Sequence, residues 1–244
     1  MSEDLIEKSK RLAAYAAVDE FVKDGMVVGV GSGSTVVYAV ERIVERVKTE
    51  GLKLRCIPSS FQAEQLIREG GLQLESLQNE TKIDVCIDGA DEVDEHLNLI
   101  KGGGGCHVQE KIIASCASKL VIIADYRKAS KTLGTAWRKG VPLEVIPCAL
   151  NSVMQKLTAM GGKPVLRMGG SSKAGPAVSD NGNLLVDVDF GAIAEPAALH
   201  SKLLHIPGVV DSGIFAGMAC KAFFGQADGT VTTRENPENV PFRV

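Results

Sequence analysis

Met26-Val27-Val28-Gly29-Val30-Gly31-Ser32-Gly33-Ser34-Thr35 is a short apolar run that breaks into a glycine- and serine-rich turn. A helical pattern then runs from Thr35 to about Thr49. Strand, loop and helix in that order begin a βαβ unit. Upstream, Leu5, Leu12 and Ala16, flanked by Ile6, Ala13, Ala17 and Phe21, share one helical face, with Lys8, Lys10 and Arg11 mostly opposite, and Asp24-Gly25 closes that helix. Downstream the pattern repeats. Residues 53–57 read as a strand, Ser59-Ser60 as the N-cap of a helix over 61–69, and residues 83–88 as another strand. Residues 97–100 lead as a strand into Lys101-Gly102-Gly103-Gly104-Gly105-Cys106, a helix follows over 107–117, and residues 120–124 form one more buried strand. Strands alternating with helices predict a mostly parallel sheet covered on both faces.

After about Lys131 the rhythm changes. Residues 141–147 read as a strand, 151–160 as a helix, 164–168 and 183–190 as strands, 195–205 as a helix and 209–215 as a strand. That order, β-α-β-β-α-β, is the ferredoxin-like arrangement. Between its middle strands, residues 169–176 are too rich in Gly and Ser to pack as an element and are expected as an exposed excursion. The tail over 219–233 holds two short strands around Ala227-Asp228-Gly229 that return to the first sheet. A (β/α)₈ barrel fits a length of roughly 250 residues, but the regular alternation stops halfway along the chain.

The composition narrows the function classes. A formal net charge of −3 with no basic run argues against a nucleic-acid or membrane-surface partner. No apolar run reaches the roughly 18 to 20 residues that span a bilayer, and residues 1–10 are too charged for a signal peptide. Cys56, Cys86, Cys106, Cys116, Cys148 and Cys220 form no CxxC pair, and the first two fall in apolar strand-like runs. The reading is a soluble chain in a reducing, cytoplasmic setting.

In an open parallel sheet, ligands sit beyond the carboxyl ends of the strands, which directs attention to the loops after Val30, Ile87 and Ile100. The first offers three hydroxyls and unhindered amides at a helix start, where the helix dipole suits a phosphate. It is not a Walker A loop, its spacing is GxGxG, and a tight turn without ligand fits it equally well. The second, Asp88-Gly89-Ala90-Asp91-Glu92, gathers carboxylates whose mutual repulsion raises the pKa of some members. A Mg²⁺ site or a plain acidic turn are the competing readings. The third follows Lys101 with four glycines and places Glu110 in the first turn of a helix, a candidate base beside a candidate cation. The four histidines include no helical pair suited to zinc.

These three stretches, with Glu110-Lys111-Ile112-Ile113-Ala114, Val141-Pro142-Leu143-Glu144-Val145-Ile146-Pro147, Asp180-Asn181-Gly182-Asn183 and Ile206-Pro207-Gly208-Val209-Val210, resemble in order and spacing the ribose-5-phosphate isomerase A family. The excursion over 169–176 is more similar to its eukaryotic and plant-like branch. The resemblance implies an α/β fold. A Rossmann-like, mostly parallel sheet domain would occupy 1–131 plus 216–244, and a smaller ferredoxin-like α+β lid domain 132–215. It implies interconversion of D-ribose 5-phosphate and D-ribulose 5-phosphate through a cis-enediolate, without metal or other cofactor, in a homodimer or homotetramer. By the same resemblance Glu110 moves the proton between C1 and C2, and Asp88 and Asp91 handle ring opening and hydroxyl protons. Lys101 with the amides of Gly102, Gly103 and Gly104 stabilises the enediolate. Ser32, Gly33, Ser34 and Thr35 hold the phosphate or nearby oxygens, with Gly89, Ala90, Lys128 and Lys10 also at the substrate. Two readings from other classes stand beside it, a non-catalytic sugar-phosphate-binding domain and a CoA-transferase-like acyl transferase with a nucleophilic glutamate.

Overall fold

A computed structural model describes residues 3–236. The parts of the first domain expected over residues 1–2 and 237–244 lie outside the described residues. The chain opens with α1 (Glu3–Phe21), β1 (Val27–Val30), α2 (Ser34–Glu50), β2 (Arg55–Pro58), α3 (Phe61–Glu69) and β3 (Gln73–Leu74). It continues with β4 (Val85–Gly89), β5 (Glu92–Val93), β6 (Leu99–Ile100), α4 (His107–Ser115) and β7 (Leu120–Asp125). The Ser59-Ser60 reading holds in atomic detail, since Ser60 Oγ accepts the Ala63 amide at 3.1 Å and caps α3.

The seven-stranded sheet runs β14-β13-β7-β4-β1-β2-β3, where β13 (Ala219–Gly225) and β14 (Val231–Glu235) form the returning tail. All neighbours are parallel except β14, which turns back on β13 as an antiparallel edge. Alternation along each strand divides the apolar side chains between two cores. Val121 and Ile123 face α1 and α2, with Val36, Ala39, Val40 and Ile43 of α2 pointing in, whereas Ile122 and Ala124 face Ile113 and Ala114 of α4.

The smaller sheet is built from β8 (Val141–Val145), β9 (Lys163–Leu166), β10 (Leu184–Asp189) and β11 (Val209–Ser212), with α5 (Leu150–Ala159) and α6 (Pro196–Leu204) between strands. Its order is β11-β8-β10-β9 with every neighbour antiparallel, the ferredoxin-like arrangement. Its core joins Val186 and Val188 to Val153, Leu157 and Leu203 of the helices. Residues 169–176 stand out from it, exposed in large part.

Three expectations change. Residues 97–100 do not extend the parallel sheet: Leu97 has a φ of 59°, and only Leu99–Ile100 is extended. Residues 209–215 are not one strand either. They divide at Gly213 into β11 and β12 (Ile214–Phe215), because Gly213 lies so close to the Lys101 carbonyl that a side chain has no room. The Lys101 amide donates to the Gly213 carbonyl at 2.8 Å. The third change is a sheet absent from the sequence reading, β12-β6-β5, which joins the two larger sheets and carries Lys101 at its end. Ile100 and Ile214 deliver its side chains to the core of the smaller domain.

Candidate active site

From β1 the chain moves outward through β2 and β3 and then returns to β4 on the other side of β1. The carboxyl ends of β1 and β4 therefore flank the crevice where an open α/β sheet binds its ligand. Asp88, the last but one residue of β4, ties that crevice together. Its Oδ1 accepts the amides of Ser32 at 3.0 Å and Gly89 at 2.7 Å, and its Oδ2 lies 2.9 Å from Lys101 Nζ. Gly31 is necessary for this closeness, since a methyl group there would overlap the Asp88 carboxyl.

Lys101 enters from the joining sheet. Its Nζ donates to the Gly89 carbonyl at 2.6 Å and stands 3.3 Å from Glu110 Oε2. Burial works against the ammonium, but Asp88 and Glu110 outweigh it and hold Lys101 above the ordinary lysine range. Glu110, one turn into α4, behaves in the opposite way. Burial first, and then repulsion from Asp88, push its carboxyl up to about 8 against the pull of Lys101. A carboxylate poised near neutrality is suited to both taking and returning a proton. Asp91 is also raised by burial, although its Oδ2 accepts the Gly103 amide at 2.7 Å.

The glycine run wraps this group, with Gly102 and Gly105 at φ values of 101° and 83° that favour glycine. His107 is fully enclosed behind it. Burial pushes its imidazole down to about 4, and the neutral ring donates from Nε2 towards the Asp211 carbonyl at 3.3 Å. Glu92 points out of the cluster. Its carboxylate accepts the amides of Gly134, Thr135, Ala136 and Trp137, so the acidic loop presents no triple carboxylate to a metal.

One hollow of about 410 Å³ collects the expected residues, a volume suited to a small metabolite. Ser32, Gly33, Ser34, Thr35, Gly89, Ala90, Asp91, Lys101, Gly102, Gly103, Gly104, Glu110, Lys128 and Lys10 all line it. Asp88 is the exception. It is completely enclosed beneath the wall and meets the hollow through Lys101 and the two amides it holds. Ser32 is placed there with its hydroxyl already engaged, 2.6 Å from Ser60 Oγ and 3.0 Å from Ser59 Oγ, which leaves Ser34 and Thr35 at the start of α2 as the freer hydroxyls. Lys10 reaches the rim from α1 while paired to Glu7 at 2.6 Å.

The hollow also contains residues that the sequence reading passed over. Gln62 accepts the Gly33 amide through Oε1 at 2.8 Å, and Asp180, from the smaller domain, accepts the Phe61 amide at 3.0 Å. Arg127 pairs with Asp125 at 2.6 Å beside Lys128. The signal for Phe61 and Gln62 was present: they follow β2, whose carboxyl end borders the same crevice. Asp180 stood in a quoted motif, but no periodicity indicates which loop of one domain reaches the other.

Residues 55–229 match the family model described as ribose 5-phosphate isomerase A (phosphoriboisomerase A). A ribose-5-phosphate isomerase of Debaryomyces hansenii is 53% identical over 230 residues, covering 93% of this chain and 90% of that protein. The Homo sapiens enzyme of the same name is 52% identical over 232 residues, covering 95% and 74%. Among solved structures, ribose 5-phosphate isomerase A from Methanocaldococcus jannaschii superposes with a TM-score of 0.88 at 41% identity, over 96% of this chain and all of that one. A D-ribose-5-phosphate isomerase in complex with phospho-erythronic acid gives 0.90 at 38% identity, with 96% and 100% covered.

Proposed function

The chain belongs to the ribose 5-phosphate isomerase A family and is an enzyme of that activity, and from that premise we propose how its residues divide the interconversion of D-ribose 5-phosphate and D-ribulose 5-phosphate. Glu110, as carboxylate, takes the proton from C2 of the open-chain aldose. The electron pair of that C–H bond forms the C1–C2 double bond of a cis-enediolate, and the charge passes to O1. The O2 hydroxyl proton passes to O1, and Glu110, now a carboxylic acid, returns its proton to C1, so that O2 becomes the ketone oxygen and O1 a hydroxyl. No electron leaves the substrate, so no redox partner enters the step.

Lys101 and the amides of Gly102 and Gly104 receive the charge on the enediolate oxygens, fixed before the reaction begins, while the Gly103 amide holds Asp91 in place. Asp91, whose acidity is weakened by burial, moves the hydroxyl proton and assists ring opening. The phosphate sits at the start of α2, with Ser34 and Thr35 donating and Lys128 and Lys10 supplying charge at the rim. Asp88 acts through Lys101, because full enclosure keeps it from the sugar. A related D-ribose-5-phosphate isomerase is solved in complex with phospho-erythronic acid, a sugar-acid phosphate one carbon shorter than the substrate.

The observation that carries the reading is Glu110 beside Lys101 at 3.3 Å, at the wall of the hollow that gathers the other loops. Substituting Glu110→Gln tests it. The variant is expected to lose about 10²- to 10⁴-fold in kcat while binding phospho-erythronic acid nearly as before. Near-normal turnover, or loss of analogue binding alone, would remove Glu110 from the proton transfer.

We further propose the domain division 1–131 plus 216–244 and 132–215, a cytoplasmic location and a homodimer or homotetramer. The strands of the smaller sheet fall within 141–212, and all six cysteines are free thiols. Among the described residues, no helix is long and apolar enough to cross a membrane. Val165, Met168 and Val178 expose apolar surface on the smaller domain, which suits association. Light scattering that returned a monomer mass would overturn the assembly.

A further inference from the structure

Arg167 lies one residue beyond β9, outside the lining of the hollow, and its backbone is held on both sides. Its amide donates to the Leu185 carbonyl and its own carbonyl accepts the Ala177 amide, both at 2.8 Å. The guanidinium is likewise fixed in direction. Nε donates to Asp187 Oδ2 at 2.8 Å and Nη2 to Oδ1 at 2.5 Å, a two-point pair that sets the plane of the fork. The remaining nitrogen, Nη1, crosses from the smaller domain to the glycine run and donates to the carbonyls of Gly102 at 3.0 Å and Gly103 at 3.1 Å.

Those two carbonyls belong to the peptide units that end in the amides of Gly103 and Gly104. A trans peptide is planar, with N–H opposite C=O, so a donor that fixes both oxygens also fixes both amide directions, away from Arg167. The Gly103 amide accordingly meets Asp91 at 2.7 Å, and Gly104 lies in the wall of the hollow. The run is also closely packed against its neighbours. A side chain at Gly103 would run into the Asp91 carboxyl at 2.6 Å, and one at Gly105 would meet Leu185 of β10 at 2.8 Å. A run of four glycines has the greatest backbone freedom to lose, so amides that act as a preorganised cradle need an external restraint.

We propose that Arg167, held by Asp187, is a positioning residue for the isomerisation: it orients the Gly102–Gly103 and Gly103–Gly104 peptides so that the Gly103 amide holds Asp91 and the Gly104 amide faces the hollow before charge develops on the substrate. The proposal rests on the reading of this loop as the enediolate cradle. It gives the smaller domain a second role, setting the geometry of the reaction as well as closing one side of the hollow.

The test compares Arg167→Ala, Arg167→Lys, Asp187→Asn and Glu110→Gln by kcat, KM and melting temperature. Arg167→Ala is expected to lose about 10- to 100-fold in kcat with KM changed less than about threefold, since the cradle acts on the transition state more than on the bound sugar. Guanidinium chloride at about 20 to 50 mM, set against NaCl of equal ionic strength, is expected to restore about fivefold or more of that loss by occupying the space beside Asp187. It should restore nothing to Glu110→Gln. Arg167→Lys should stay impaired, because one ammonium cannot serve Asp187 and both carbonyls. If Arg167→Ala does not fold, Asp187→Asn, of nearly equal size, carries the test with a kcat loss of about tenfold at an unchanged melting temperature. Turnover within about twofold of the parent in Arg167→Ala or Asp187→Asn, a loss confined to KM, or a loss that guanidinium leaves untouched would overturn the proposal. Survival of turnover in Glu110→Gln would instead overturn the reading of the site beneath it.

Discussion

Glu110 Oε2 lies 3.3 Å from Lys101 Nζ, and both side chains are almost wholly closed off from solvent. An ion pair at this distance ordinarily strengthens a carboxylic acid. Here enclosure and the charge of Asp88 prevail, and the Glu110 carboxyl is pushed up to about 8 while Lys101 stays charged. The lysine prevents a still larger rise and also supplies the positive charge that the enediolate needs. One contact thus moderates the strength of the base and stabilises what the base produces.

The first prediction concerns pH. The base must be ionised in the free enzyme, so kcat/KM should rise with pH towards a plateau, with its acid limb near the value of about 8 reached by Glu110. Asp88→Asn removes a repelling charge from Glu110 and should move the limb to lower pH. Lys101→Met removes an attracting charge and should move it to higher pH. A pH–rate profile for the parent and both variants checks the directions, and a limb in the ordinary carboxylate range for all three would contradict them.

Two glycines of the site should respond differently to a methyl group. Gly31→Ala drives its new carbon into the Asp88 carboxyl and backbone, whereas at Gly104 nothing lies within 4 Å. Overpacking of this kind costs about 1 to 3 kcal/mol, and at Gly31 it displaces the carboxylate that holds Lys101. Gly31→Ala is expected to lower both the melting temperature and kcat sharply, and Gly104→Ala to change stability by less than about 0.5 kcal/mol. Thermal melts with parallel assays distinguish the two, and equal tolerance would contradict the close approach at Gly31.

Residues 26–35 and their repeats made the parallel sheet legible because buried strands read as unbroken apolar runs, and the return of residues 219–233 to that sheet was legible as two short strands around Ala227-Asp228-Gly229, although the second, Val231–Glu235, is a largely polar edge. What escaped was short or non-local. β3 and β5 have two residues each, too few to show a period, and β5 carries Glu92, a charged residue, into a buried position. Composition placed three carboxylates in one turn, but burial assigned them different work. Asp91 faces the hollow, Asp88 lies beneath it, and Glu92 turns to the backbone of residues 134–137. Arg167 had no signature at all, since the carbonyls it holds lie more than 60 positions earlier in the chain at Gly102 and Gly103.

Glu92 yields the third prediction. Burial opposes its charge, but the amides of Ala136, Gly134 and Trp137 overcome that and hold the carboxyl below its usual range. Glu92→Ala would leave those amides without their acceptor, a loss of about 2 to 5 kcal/mol by the usual cost of unpaired buried polar groups. Because its folded pKa is depressed, the stabilisation is complete above the ordinary glutamate range and is lost as pH falls through the folded value. Urea titrations should therefore separate parent and variant widely at pH 7 and less as the solution is acidified. Folded variant should keep kcat/KM within about threefold, since the carboxylate does not reach the hollow, and a large loss there would assign Glu92 to the site.

The same linkage runs in the opposite direction at Glu110 and shows what the poised base costs the fold. Between the ordinary value of 4.5 and about 8, native Glu110 retains a proton that the unfolded chain has already released. Stability then falls as pH rises through that window, with a slope that approaches about 1.4 kcal/mol per pH unit for one proton. A glutamine has no proton to release and is free of that slope. The stability of Glu110→Gln relative to the parent should accordingly grow from pH 5 to pH 8, even as its turnover disappears, which marks the residue as placed for chemistry at the expense of the folded state. Chemical denaturation of both proteins across that range measures the difference directly. A difference that stays flat or shrinks would mean that Glu110 has ordinary acidity in the native protein, and the explanation of its basicity by enclosure would fail.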